Sequence, residues 1–408
     1  MAEFERYASK LTTVAVTGTN GKTTTTSMVA SIVAASGEPS ARITTVGSWV
    51  GDELVDEEGT VEGFARTLRM SVAAGVRTLA VETTSRALAE GFAHQWRARI
   101  AVFTNLTHDH LDYHGTAEQY LAAKAQLFMT LPDDGVAVFN ACDSASELLR
   151  EVTPPTVRCT AFAASVERAT TRTIPWGLVA DNVIVSRTGT QVMLAPGALA
   201  DRLGRRLHLR VPGAVHAQNA MAAALAADAA GYSPEAIVVG LEQFQGVAGR
   251  FQIVARAPFV VVDYAHAPDA LQHTLEIARA LVESKAGRVI CVMGCGGDRD
   301  AGKRQPMGRL AAELANVVII TTDNPRSEDP AAIADAVETG ARQASATLVR
   351  ELDRRAAIEQ AILAASPDDV VVIAGRGGER VQEVGDERIT FNDAEVAKAI
   401  LSKSSPKA

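Results

Sequence analysis

The chain has 408 residues, of which 47% are hydrophobic and 22% charged, and its formal net charge is −8. That length predicts two or three domains with ample material for their cores. The acidity argues against a nucleic-acid binder, which would carry a basic face. No apolar run approaches the roughly eighteen residues of a membrane span, and residues 1–10 have none of the apolar character of a signal peptide. The four cysteines, Cys142, Cys159, Cys291 and Cys295, lack zinc-site spacing. Unpaired thiols fit a reducing, cytoplasmic setting.

Taken in chain order, residues 14–16 predict a short strand running through a Gly-rich turn into a helix over residues 22–35. Residues 78–81 and 100–103 repeat the strand-then-loop pattern, and both following loops are polar. Strands alternating with helices predict a parallel sheet covered on both faces. Residues 159–211, rich in Thr, Val and Arg, read as an antiparallel β insertion with strands at 178–186 and 191–194. A helix of small residues follows at about 217–230. Residues 246–256, GVAGRFQIVAR, read as a hinge. Beyond it, strands are predicted at 259–262, 289–293, 317–321 and 370–374, with helices between them in a Rossmann-like pattern. The expected fold class is α/β: a central domain with a β insertion, residues 1–246, followed by a Rossmann-like C-terminal domain, residues 247–408.

Residues 17–24 read TGTNGKTT, between an apolar strand and a helix. That is the context of a phosphate loop, here in a shortened GxxGKT form. Gly18 and Gly21 allow a tight turn whose N–H groups, with those of Thr19, Asn20 and Thr24, face phosphate oxygens. Lys22 can neutralise the β- and γ-phosphates of ATP, and the Thr23 hydroxyl can ligate Mg²⁺. The bland alternative is a Gly-Asn turn capped by Thr.

The strand at 100–103 leads into TNLTHDHLDYHG, which interleaves His108, His110 and His114 with Asp109 and Asp112. Hard oxygen ligands with one imidazole, beside bound ATP, suit Mg²⁺ better than zinc. Glu82, closing an earlier strand, adds a carboxylate. Lys124, within YLAAKAQLF, reads from sequence alone as a surface lysine.

Together these motifs resemble the Mur ligase superfamily and its MurE-type branch over nearly the whole chain. TGTNGKTT, TNLTHDHLDYHG, VDYAHAPDAL, GCGGDRDAGKR, DNPRSEDP and AGRGGE follow the family's order and approximate spacing. The resemblance implies ligation of a carboxylate to an amino-acid amine through an acyl phosphate. It implies that Glu82 and His110 are metal ligands and that Lys124 is a carbamylated lysine reaching Mg²⁺. It implies that Asn219 contacts adenine against the second domain, that Arg250 contacts phosphate, and that Asp263 and His266 contact the nucleotide. Asn324, Arg326 and Glu379, supported by Arg299 and Gly375, would grip the amine donor, and the Arg of DNPR goes with a diaminopimelate-like amino acid. Alternatively, Arg326 and Glu379 would pair with each other and brace two loops.

Three positions depart from the family pattern: Arg86 and Gly378 each stand where it has His, and His216 where it has Asn. Gly378 is expected to widen the donor pocket. About a dozen residues precede the first strand, so the expectation is an enzyme without the N-terminal UDP-binding domain, acting on a carboxylate acceptor not linked to UDP. A folylpolyglutamate- or cyanophycin-type ligase and a non-catalytic nucleotide-binding subunit remain the other readings. The sequence carries no signal for the oligomeric state.

Overall fold

The computed structural model describes residues 7–57, 59–107, 111–171, 173–282, 284 and 286–404. The chain divides into two compact units, Met1–Gln245 and Gly246–Ala408.

In the first unit the apolar runs form β1 (Thr12–Thr17), β2 (Ala41–Thr44), β3 (Gly47–Val50), β4 (Glu53–Asp56), β5 (Thr78–Glu82) and β6 (Ile100–Phe103). They continue as β7 (Val136–Asn140), β8 (Arg158–Ala163), β9 (Trp176–Ser186), β10 (Gly189–Leu194) and β11 (Arg206–Leu209). All eleven join one sheet in the order β11-β10-β9-β8-β7-β6-β1-β5-β2-β3-β4. Its centre, from β9 to β2, is parallel. β5, β6 and β7 are buried throughout, because helices cover both faces and every side chain points into a core. Each Val, Leu, Ile or Phe buried there contributes about 1.5–3 kcal/mol.

The antiparallel insertion expected from residue 159 begins later than its composition implied. β8 pairs parallel with both β7 and β9, and the antiparallel pairing of this stretch starts with β9, β10 and β11. Composition marks a strand but not the direction of its partner, which the intervening connection decides.

Three helices position the site. They are α1 (Lys22–Ala35), α2 (Ala117–Met129) and α3 (Ala214–Ala229). α1 is an almost fully buried run of Thr, Ser, Ala and apolar residues. The helix Pro234–Gln243 packs closely on it at a glycine: a Cβ added at Gly240 would strike the Ile32 backbone.

The second unit holds β12 (Gln252–Arg256), β13 (Phe259–Asp263), β14 (Val289–Met293), β15 (Val317–Ile320), β16 (Thr347–Arg350) and β17 (Val370–Ala374). Its sheet order is β12-β13-β17-β14-β15-β16, parallel except for the edge pair β12–β13. A hairpin, β18 (Val381–Val384) and β19 (Glu387–Thr390), follows. The stretch 246–256, expected to be a hinge, is thus partly structural: residues 252–256 form the edge strand, and a Val247–Arg250 bridge closes the turn before it. Among the described residues no helix is long and apolar enough to cross a membrane.

Candidate active site

The strand order reverses around β1, which lies between β5 and β6. Ligands of open α/β sheets gather beyond the carboxyl ends of the strands at such a point. There the chain turns through Gly18 (φ 149°) and Gly21 (φ 85°), a region that only glycine enters cheaply. Both glycines are also in close contact. A Cβ at Gly18 would collide with the Thr104 hydroxyl, and one at Gly21 with the Asn219 side-chain amide. Gly21 caps α1 without a side chain, so the first N–H groups of the helix point at the loop.

The loop after β6 braces this turn. Asn105 Oδ1 accepts from Asn20 N at 2.8 Å, and Asn105 Nδ2 donates to Asn20 O at 3.1 Å. Thr104 Oγ1 donates to Asn20 O at 2.6 Å, and Thr107 N to Thr19 Oγ1 at 2.9 Å. Asp143 holds the same loop by accepting from Leu106 N at 2.6 Å. Burial pushes its carboxyl above the usual range, and that backbone bond opposes the shift.

Lys22 lies on the first turn of α1, with its ammonium donating to Thr19 O at 2.7 Å. The Thr23 hydroxyl donates to Glu82 Oε2 at 2.9 Å, and that oxygen also accepts from Thr45 N at 2.9 Å and Thr45 Oγ1 at 3.1 Å. Glu82 is buried at the end of β5. Lys124 is not the surface residue its local sequence implied. It is 0% exposed, its Nζ donates to Gly18 O at 2.9 Å, and it lies 4.0 Å from the Tyr120 ring centroid. α2 turns Tyr120 and Lys124 inward together, since residues four apart share a face. The sequence reading missed Tyr120, Thr45 and Asn105; for Tyr120 the i,i+4 spacing to Lys124 was the available signal.

His108, Asp109, His110 and the side chain of Asp112 lie outside the described residues. His114 is buried against Ser85 Oγ at 2.9 Å. Arg86 is largely exposed and paired with Glu90 at 3.0 Å. Among the described residues no group of three or more His, Cys, Asp or Glu side chains forms a metal cluster. The donors still suit a Mg²⁺–nucleotide. The Thr23 hydroxyl and Glu82 carboxylate are hard oxygens beside a backbone cradle closed to any Cβ.

His216, on α3 near Asn219, is fully buried, and burial lowers its pKa to about 4. Above pH 6.5 the imidazole is neutral in both folded and unfolded chains and adds no pH dependence. Between 6.5 and about 4 the unfolded chain binds a proton that the folded one refuses, so stability falls with pH by about 3 kcal/mol in all. His216→Asn is expected to flatten this part of the profile, measured as unfolding midpoint against pH. An unchanged slope would assign the acid sensitivity elsewhere.

In the second unit, three polar loops emerge from the carboxyl ends of β14, β15 and β17. Asn324 Nδ2 donates to Glu379 Oε2 at 2.8 Å, and Asn324 Oδ1 accepts from Glu383 N at 2.9 Å. Burial and the nearby charge of Asp323 raise the Glu379 carboxyl above its usual range. Arg326 adopts a left-handed φ of 51°, held because its N and O bond to Glu383 and Gly385 of the hairpin. Its Nε donates to Glu383 Oε2 at 3.0 Å and its Nη1 to Gly297 O at 2.8 Å. Arg326 and Glu379 therefore do not brace each other: each has a different partner. Glu383 was not foreseen, because no motif marks it. Gly375 (φ 112°) lies against the Asp323 carboxylate, and Arg299 is exposed nearby.

A Cβ at Gly249 would collide with Gly378 N, so the backbones of the two segments lie in contact. Arg250 stacks 4.2 Å over the Tyr264 ring centroid, and His266 Nδ1 donates to Tyr264 O at 2.9 Å. Asp263 is half-buried, accepting from Phe251 N, Ala265 N and the Thr274 hydroxyl at 2.6–3.0 Å. Desolvation raises its carboxyl above the usual range, against those bonds.

A shortened phosphate loop, a carboxylate–hydroxyl pair beside it and a buried lysine, on a doubly wound sheet followed by a Rossmann-like unit, define an ATP-dependent carboxylate–amine ligase. Comparison with known proteins gives the family. Residues 16–227 match the Mur ligase middle domain, and residues 249–377 match the Mur ligase, glutamate ligase domain. The UDP-N-acetylmuramoyl-L-alanyl-D-glutamate–2,6-diaminopimelate ligase of Synechococcus elongatus is 38% identical, over 98% of this chain and 79% of its own. The ligase of the same name from Geobacillus kaustophilus is 36% identical, over 98% and 81%. A solved structure of a ligase of that name superposes with a TM-score of 0.67 at 32% identity, over 96% of this chain and 78% of that one. The folylpolyglutamate synthase of Mycobacterium tuberculosis, at 18% identity and TM-score 0.70, shares the fold. The chain belongs to the Mur ligase family. It is an ADP-forming ligase that makes an amide bond and uses ATP with Mg²⁺.

Proposed function

We propose that this ligase adds a diaminopimelate-like amino acid to a carboxylate acceptor, activated at the phosphate loop of the first unit. The acceptor carboxylate attacks the γ-phosphorus of ATP, the bond to the bridging oxygen breaks, and ADP leaves an acyl phosphate. The donor amine attacks the acyl carbon, inorganic phosphate departs, the amine loses its proton, and an amide remains. Lys22 neutralises charge that develops on the transferred phosphoryl group. Thr23, Glu82, His110 and a carbamylated Lys124 would hold Mg²⁺, which supplies further neutralisation. Backbone groups of residues 18–24 hold the phosphates, with Asn219, Arg250, Asp263 and His266 serving the nucleotide. Lys124 lies buried against the phosphate loop, where a carbamate, formed when its amine adds to CO₂ and loses a proton, would be the anion a metal needs.

The observation that carries the donor assignment is the convergence of Asn324, Arg326 and Glu379, two of them joined at 2.8 Å, on loops at the carboxyl end of one sheet. The diaminopimelate ligases among the relatives agree with it. Arg326 keeps donors beyond those used by Glu383 and Gly297, and a guanidinium matches a distal carboxylate. Glu379, paired with the Asn324 amide, can receive an ammonium.

The test compares meso-diaminopimelate, lysine, glutamate and aspartate as donors, crossed with UDP-linked and simpler acyl acceptors. Wild type is expected to prefer diaminopimelate over lysine by about 30-fold or more in kcat/KM, and Arg326→Ala to lose most of that preference. Equal use of both donors by wild type would sink the proposal, as would unchanged selectivity in the variant. Preference for glutamate or aspartate would favour the folylpolyglutamate- or cyanophycin-type reading.

A further inference from the structure

We infer that Arg354 is a positioning residue for the amine donor, tying together the roots of the two loops that carry Asn324, Arg326, Gly375 and Glu379. The inference rests on the donor-site reading above. Arg354 opens α4 (Arg354–Leu363), which Asp353 caps, and its guanidinium is wholly buried. Nη1 donates to Thr322 O at 3.3 Å and Nη2 to Ala374 O at 2.9 Å. Nε and Nη2 also hold Asp393 in a bidentate pair at 2.8 and 2.7 Å. Thr322 immediately precedes the Asp323–Arg326 run, and Ala374 immediately precedes Gly375.

These two roots belong to strands that do not touch. β14 lies between β15 and β17, so no ladder bond sets the spacing of their carboxyl ends. One planar guanidinium spans them, with a third anchor in the helix Asp393–Ser404. Two further contacts depend on that spacing. The Asp323 carboxylate lies against Gly375, where a Cβ would collide with it, and Asn324 reaches Glu379 at 2.8 Å. A buried ion pair is a weak source of net stability, and apolar residues of similar volume often do as well. What they would not reproduce is a rigid fork that bonds two carbonyls and a carboxylate at once. Lysine offers a flexible point charge in its place.

The experiment sets Arg354→Lys against Arg288→Met. Arg288 pairs with buried Asp369 at 2.8 Å at the opposite, amino end of β14 and β17. Its loss weakens the same sheet without touching the loop roots. Steady-state kinetics are measured with saturating MgATP and acceptor, varying the donor that wild type uses. Arg354→Lys is expected to raise donor KM tenfold or more while kcat and the KM for ATP stay within twofold. Arg288→Met is expected to lower the melting temperature but leave donor KM within twofold. An unchanged donor KM in Arg354→Lys overturns the inference, and so does an equal rise in Arg288→Met, which would make the role merely structural. If Arg354→Lys does not fold, Asp393→Asn serves in its place. It keeps the size of the anchor and weakens its grip, and donor KM is expected to rise threefold or more with the same split; no rise overturns the inference. Absence of a diaminopimelate preference in wild type overturns the donor reading alone, because the Arg354 effect is read on whichever donor is used.

Discussion

Lys22→Ala is expected to lower kcat by about a thousandfold or more, the scale of removing a charged group aimed at a developing negative charge. The side chain stands at the first position of α1, behind a turn whose two glycines leave room only for backbone and ligand. Its bond to Thr19 O marks where a phosphate oxygen would compete for the ammonium. Alanine is a good helix former at this position, so the fold is expected to survive. The check is ADP release with both substrates present, alongside the thermal midpoint. Turnover near the wild-type level in a folded variant would show that the phosphate site lies elsewhere.

Lys124→Ala is expected to be nearly inactive, by about a hundredfold or more, and to regain part of its activity with a short carboxylate such as formate or acetate. The substitution removes a fully buried side chain against Tyr120 and Gly18. Some loss of stability, about 2 kcal/mol, comes from the cavity alone. Rescue separates the two effects, because a small anion can replace a carbamate charge but cannot refill the packing of the lysine stem. Lys124→Arg, which cannot form the carbamate, is expected to stay inactive. Full activity in Lys124→Ala would leave this residue a packing role only. Failure of every small carboxylate to rescue a folded variant would remove the carbamate from the proposal.

Both predictions concern residues whose relevance differs in legibility. Lys22 is marked by its neighbours in sequence: a strand before it, a helix after it and glycines at two fixed offsets. Lys124 has no such frame. Its meaning lies in Gly18 O, 106 residues away, and only packing of α2 against the phosphate loop brings the two together. The same holds for Glu82, whose partner Thr23 is 59 residues distant. In the second unit, DNPR and GRGGE were legible as loops, whereas the hairpin residue Glu383 that occupies Arg326 Nε carried no motif and was invisible.

By itself the sequence determined the elements whose cause is local. Strands β6, β14 and β17 and helix α1 run where apolar runs and the Gly-Lys turn place them, since strand and helix bounds follow from side-chain periodicity and turn residues. The order of the six motifs likewise determined the family. The tertiary structure alone decided which of those elements are neighbours. It made β8 a parallel strand, turned residues 252–256 into a sheet edge, buried Lys124 and stretched Arg354 across two loop roots. The physical reason is that a side chain's face and a strand's partner depend on contacts between residues far apart in the chain. Local composition is the same whether a lysine ends in water or against a carbonyl, and only the packed core distinguishes the two.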